Sequence, residues 1–259
     1  MQSCISDVKL WTTVNKLQLN EDKTEALLFA YSCHGLPSSI SVGQSAIPFA
    51  VSARNLGVIF DNSLNMRDHI TRVCQGAYFE IRRISCIRHL LTQEATKTLV
   101  TSFVLSRVDY CNSLLAGIPQ NLIDKLQKVL NCAARLVFRA SKREHVTPLL
   151  AKLHWLPISK RIEYKICTVC FTILTGTAPP YLADLLEVYV PSRSLRSSAD
   201  SRIFRIPRRH KKSHGQRAFS YFGPVTWNQL PYSIRHAPSL PAFKSQLKTH
   251  LFSSVYDSH

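Results

Sequence analysis

The chain has 259 residues, enough for one large or two modest domains with a substantial core. Its make-up, 45% hydrophobic and 19% charged, excludes wholesale disorder, and its longest apolar stretch, Ile166–Leu174, is too short to span a bilayer. A net charge of +17 is the unusual feature, and it favours polyanionic partners, nucleic acid before an anionic membrane surface.

Ile5–Leu19 reads as a helix with Ile5, Val8, Trp11 and Val14 on its apolar face. Asn20–Asp22 is a polar turn, with Asn20 as the stop residue and Lys23 beside it. Thr24–Tyr31 reads as a strand. Ser38–Val42 and Ala46–Phe49 flank Gly43-Gln44 and suggest a β-hairpin. Ala53–Phe60 reads as one further strand, with Gly57 where a backbone can approach closely.

From Asn65 the period becomes helical. Asn65 and Asp68 have capping-box spacing, and Ile70, Val73, Ala77, Ile81, Ile84 and Leu91 form an apolar stripe. Arg72, Arg82, Arg83 and Arg88 lie largely off it. A second helix starts at Thr92, with Leu99, Val100, Phe103 and Val104 facing inward and a turn at Gly117-Ile118-Pro119. A third, about Asn121–Phe138, carries a core face of Leu122, Leu126, Val129, Ala133 and Leu136. Lys125, Lys128, Arg135 and Arg139 fall on an adjacent face, which suits a nucleic-acid backbone and equally a solvated surface. A short helix lies between Pro148 and Trp155. Pro157 then opens a long one to about Leu174, with Ile158, Ile162, Ile166, Val169 and Ile173 inward. Tyr181–Tyr189 reads as one more short helix.

Charge is unevenly placed. Through Phe60, four basic residues balance four acidic ones, so the whole excess lies downstream. Pro191–Arg217 is the strongest feature, with Arg193, Arg196, Arg202, Arg205, Arg208, Arg209, Lys211, Lys212 and Arg217 against Asp200 alone. These nine are candidate nucleic-acid ligands, although the same composition suits a basic linker or a localisation signal. Arg202–Ile206 alternates like a strand, and Arg208–Gly215 reads as an exposed loop. Apolar packing returns at Ala218–Phe222 and Trp227, and Leu240, Phe243, Leu247 and Leu251 mark a closing amphipathic helix.

Eight scattered cysteines fall mostly on apolar helix faces, and Met1–Leu10 lacks the apolar run of a secretion signal. The expectation is an intracellular protein, nuclear or cytoplasmic, neither secreted nor membrane-bound. Cys167-x-x-Cys170 and the pair His210 and His214 are 39 residues apart, far outside zinc-finger spacing, so no metal site is expected. No Gly-x-Ser-x-Gly and no phosphate-binding glycine loop occur.

One stretch is specific in its wording. Asn15–Phe29, Asn-Lys-Leu-Gln-Leu-Asn-Glu-Asp-Lys-Thr-Glu-Ala-Leu-Leu-Phe, resembles motif D of the reverse transcriptases of non-LTR (LINE-type) retrotransposons. Arg54–Asp61 resembles their motif E, the primer grip. The likeness continues through Leu105-Ser-Arg-Val-Asp-Tyr-Cys-Asn-Ser-Leu-Leu115, Leu153-His-Trp-Leu-Pro157 and Phe243–Phe252. It implies the C-terminal part of such an RNA-directed DNA polymerase, with Met1 falling after the catalytic hairpin. The implied fold is α+β, mainly α: a small antiparallel strand-bearing palm remnant (1–61), a helical thumb-like body (62–190) and a basic C-terminal segment (191–259).

The resemblance makes Lys23 the motif D lysine, which neutralises phosphate or donates a proton in a complete enzyme. It makes Leu56, Gly57 and Val58 primer-grip-like. Paired Mg²⁺ ions belong to the complete polymerase, and this chain has no Asp-Asp dipeptide, so no catalytic residue and no cofactor are expected in it. The leading expectation is a non-catalytic module that binds RNA or an RNA/DNA duplex. Alternatives are one half of a polymerase acting with an upstream half in trans, and a helical scaffold.

Overall fold

The computed structural model describes residues 2–29, 37–43, 45–190, 202–208 and 215–257. Helix makes up 61% and strand 10%, which makes the fold α+β and mainly α. The chain forms two compact units, Met1–His69 and Ile70–His259. The described residues of 202–257 belong to the second.

In the first unit, helix α1 (Gln2–Val14) precedes a short 3-10 turn, Glu21–Lys23, which Asn20 caps by accepting the Lys23 N–H at 3.0 Å. Strand β1 (Ala26–Leu27) is shorter than the alternation suggests. Strands β2 (Ser39–Val42) and β3 (Ser45–Ala50) form the expected antiparallel hairpin, and β1 joins β3 in parallel. Ala26, Val42 and Ile47 make the core, with Ile5 and Leu19 against it. The middle of the α1 stripe does not reach this core. Val8, Trp11 and Val14 stay exposed, because only residues near the two ends of the 5–19 segment meet the sheet.

Ala53–Phe60 is not one strand. It folds back as β4 (Ser52–Asn55) and β5 (Val58–Asp61), joined by Leu56-Gly57 with φ of 46° and 85°. Two successive left-handed residues make the tight hairpin turn whose twist matches the strands, and Gly57 takes such a φ at no steric cost.

The junction after β5 is built by Asp61 rather than by a capping box at Asn65. The Asp61 carboxylate accepts the N–H of Ser63, Asn65 and Met66 and the Ser63 hydroxyl, at 2.6–3.1 Å. Asn65 instead accepts the Arg67 N–H at 2.8 Å, where helix α2 (Arg67–Ile87) begins. The unit boundary falls in its first turn.

In the second unit, α2 buries Ile70, Ala77 and Ile84. Thr92 caps α3 (Gln93–Val100) by accepting the Ala95 N–H, and a π-helical turn, Thr101–Leu105, links it to α4 (Ser106–Asp109). The wider turn rotates the inward face to Val100, Val104, Leu105 and Val108 and leaves Phe103 exposed, contrary to simple periodicity. Helix α5 (Gln120–Phe138) buries a broad face that includes Leu126, Val129, Leu130, Ala133 and Val137.

After α6 (Thr147–Lys152), helix α7 (Ile158–Leu174) buries Ile162, Ile166, Cys167, Cys170 and Phe171. Only α8 (Pro180–Ala183) forms in the next stretch; Val188 instead makes an isolated antiparallel bridge with Phe204. Helices α9 (Phe219–Asn228), α10 (Tyr232–Arg235) and α11 (Leu240–Tyr256) complete the unit. Phe171 stacks on Phe243 at 4.4 Å, and Trp227 lies 5.5 Å from Phe243 and 6.0 Å from Phe204. All four rings are at most 2% exposed. None of the described helices is long and apolar enough to cross a membrane.

Candidate nucleic-acid interface

On α2, Cys74, Tyr78 and Arg82 recur every four residues beside the buried Ile70, Ala77 and Ile84, and Ile81, expected on the core stripe, is only half-buried and joins them. With Lys125 and Lys128 of α5 they line a groove of about 570 Å³. Its floor is sulfur, ring and aliphatic carbon, its cations are Arg82, Lys125 and Lys128, and no acidic side chain among the described residues lines it. Burial pushes the Cys74 thiol up, against the pull of Lys125. Burial, with Cys132 and Cys74 as neighbours, pushes the Tyr78 phenol up to about 12. Tyr78 is therefore a neutral aromatic surface beside three charges. Such a pairing meets both parts of a nucleic-acid strand, phosphate and base.

The basic face expected on α5 divides. Lys125 and Lys128 are exposed and stay in the groove. Arg135 donates to the Glu144 carbonyl at 3.0 Å, and its buried Nε has no partner among the described residues. Arg139 caps the helix in a left-handed conformation, φ 55°, and donates to the carbonyls of Arg88 and His89. Both arginines bind backbone. Arg82 was not singled out from the sequence as a site residue; the signal was its position four residues after Tyr78.

The C-terminal arginines divide as well. Arg202 donates to the Arg235 carbonyl at 2.9 Å, and Arg205 pairs with Glu187 at 3.0 Å. The Arg217 stem lies against Gly117, so close that a Cβ there would come within 2.9 Å of its Cγ. Arg208 is exposed. Arg193, Arg196, Arg209, Lys211 and Lys212 lie outside the described residues.

In the first unit, Lys23 is exposed and lines a pocket of about 560 Å³ with Glu25, Arg54 and Asn55. Glu25 accepts the Arg54 N–H at 3.3 Å, which brings the stretches 15–29 and 54–61 together. Leu56 and Gly57 form the hairpin tip, Leu56 being 84% exposed, while Val58 is buried. Paired Mg²⁺ does not fit the residues present. The carboxylate of Asp61 is taken up by its own turn, and among the described residues no three His, Cys, Asp or Glu side chains converge.

Cys167 and Cys170 are fully buried in α7, and burial pushes both thiols far up. Cys170 packs against Gly223 of α9, which makes the pair part of the core. His210 and His214 lie outside the described residues. No family model matches the chain, and neither a curated protein nor a solved structure matches it.

Proposed function

We propose that the chain is a non-catalytic nucleic-acid-binding module similar to the end of the palm, the thumb and the region beyond of a LINE-type reverse transcriptase. RNA or an RNA/DNA duplex is its partner. The observation that carries this reading is the groove in which Arg82, Lys125 and Lys128 surround Tyr78 with no acid among the described lining residues. The downstream position of the whole charge excess supports it. Phosphates displace counterions from these cations, so affinity falls with salt. An intracellular setting, nuclear or cytoplasmic, goes with this reading and with the free thiols of the described cysteines.

The test is binding of a labelled RNA/DNA duplex and a single-stranded RNA across a salt series. The Arg82→Ala/Lys125→Ala/Lys128→Ala variant loses affinity and flattens the salt slope by up to about 3. Unchanged affinity in the triple variant, or binding insensitive to salt, overturns the reading.

The exposed apolar face of α1, with Leu10, Trp11 and Val14 each at least 60% exposed, favours a second reading. There the first unit docks on an upstream polymerase half that supplies the metal carboxylates. Primer extension on mixing the two halves tests it, and no extension sinks it.

A further inference from the structure

A second pocket in the Ile70–His259 unit, about 570 Å³, is independent of the groove. Its volume suits a small ligand, for which sites of about 300–1,000 Å³ are usual. Four separate stretches meet there: Leu105, Ser106, Asp109 and Asn112 from the first, His154–Leu156 from the second, Arg161, Tyr164 and Lys165 from α7, and Lys248 from α11. None of the four lines the groove.

Asn112 is the unusual residue. It is 6% exposed, and its buried Oδ1 has no hydrogen-bond partner among the described residues. Its amide nitrogen reaches Asp109 Oδ1 at 3.4 Å. A buried acceptor left unpaired costs about 1–3 kcal/mol, and a ligand N–H would remove that cost. The charges are divided. Arg161 is engaged, pairing with Asp109 at 2.6 Å and donating its Nε to the Leu156 carbonyl at 2.8 Å. Lys165 and Lys248 are exposed, and among the described residues neither is in an ion pair. The lining thus holds two uncompensated ammoniums and one orphaned acceptor, with Trp155, Leu156 and Tyr164 as apolar and aromatic wall.

The backbone at this pocket departs from regular geometry. The π turn Thr101–Leu105 contributes Thr101 and Leu105, and His154 holds a φ of 55° without being glycine. Cys111, beside Asn112, has a φ of 50°. Such conformations persist where the surroundings over-determine them, often at ligand sites.

We propose that this pocket binds one nucleotide: a flat base with an N–H edge toward Asn112 and an aromatic wall, and a phosphate held by Lys165 and Lys248. An inorganic anion leaves the acceptor and the apolar wall unused. A sugar phosphate has no flat apolar face to set against that wall.

The test uses the full chain, with binding of AMP, GMP, CMP and UMP read by saturation-transfer NMR and calorimetry. At least one monophosphate binds, its nucleoside binds about tenfold or more weakly, and Lys165→Gln/Lys248→Gln costs a similar factor. Asn112→Leu reduces discrimination among the four bases. A 5′-phosphorylated single-stranded tetranucleotide, run alongside, separates the two sources of such a unit. Tighter binding of the tetranucleotide, lost in the double lysine variant, assigns a strand; equal or weaker binding assigns a free nucleotide. No signal from any monophosphate overturns the proposal, as does equal competition by inorganic phosphate, full binding by the double variant, or displacement only by an acidic peptide. The groove variant Arg82→Ala/Lys125→Ala/Lys128→Ala keeps monophosphate binding, so failure here and failure of the groove are told apart.

Discussion

Arg88 and Arg139 each donate their guanidinium to carbonyls at the other's helix end. Arg88 bonds the Leu136 and Val137 carbonyls at 2.9 and 2.7 Å, and Arg139 bonds those of Arg88 and His89 at 2.9 and 3.3 Å. The last carbonyls of a helix have no partner within it, and a cation there also opposes the helix dipole. Burial and the nearby Arg139 charge push the Arg88 pKa down. Arg88→Ala is expected to cost about 1–3 kcal/mol, since the Leu136 carbonyl keeps the Arg139 N–H at 3.5 Å but the Val137 carbonyl loses its side-chain donor. Arg139→Gly costs less, because glycine suits the left-handed cap. Urea melts of both variants check the order.

The β4–β5 turn makes a prediction of opposite signs at adjacent positions. Leu56 holds φ 46° with an exposed side chain, so Leu56→Asn relieves backbone strain and raises stability by a few tenths of a kcal/mol, up to about 1. Gly57→Ala at φ 85° lowers it by about 1 kcal/mol. Amide exchange at Val58 reads both. A hairpin that responds to neither change would contradict the turn.

Two groups give the first unit its acid sensitivity. Burial lowers the His69 pKa below 6.5, and its neutral Nδ1 faces the Ile59 N–H at 3.4 Å. The unfolded chain therefore takes up a proton first as pH falls, so this contribution is present above about 6.5 and declines below it. Burial pushes Asp61 up, but hydrogen bonds from Ser63, Asn65 and Met66 outweigh it and hold the carboxyl below 3.8. Its contribution is lost as pH falls from there through the folded value. Exchange protection at Ile59 should weaken first and at Met66 later. His69→Gln removes the first step. Asp61→Asn removes the second and costs about 1–3 kcal/mol at neutral pH.

Thiol reactivity should follow burial. Cys4 and Cys86 are exposed, whereas Cys167 and Cys170 are enclosed with their thiols pushed up. A thiol reagent added to the native chain should modify the first two and spare the α7 pair until denaturant is added. Native labelling of Cys167 would contradict its place in the core.

Helical periodicity was legible wherever one face is buried. Pro157 and the Ile158, Ile162 and Ile166 series located α7, and Leu122, Leu126 and Val129 located α5. Periodicity failed where a local device intervened. The π turn rotated Phe103 outward, and Leu56-Gly57 split one apparent strand into two. The α1 stripe has helical spacing, yet among the described residues only Ile5 of it meets a surface and Val8, Trp11 and Val14 meet none, which composition does not reveal. The basic residues were legible as charge but not as roles. Arg135, Arg139, Arg202 and Arg205 lie within reach of a carbonyl or carboxylate that only the fold brings near. The pocket around Asn112 draws on residues more than a hundred positions apart, and no local pattern announces it.

The side chain of Asn228 behaves as a one-residue strand. Its Oδ1 accepts the Phe204 N–H at 3.0 Å and its Nδ2 donates to the Phe204 carbonyl at 2.8 Å, while Trp227 Nε1 donates to the Arg202 carbonyl at 2.8 Å. With Phe204, Trp227 and Phe243 buried around Phe171, the described residues of 202–257 grip the rest of the second unit through packing as well as through the peptide chain. The protein can therefore be severed without being dismantled. A cut between residues 190 and 202 should leave two pieces that run as one on a sizing column. Trp227→Ala, which empties the centre of that grip at a cost of about 3–5 kcal/mol, should let them part.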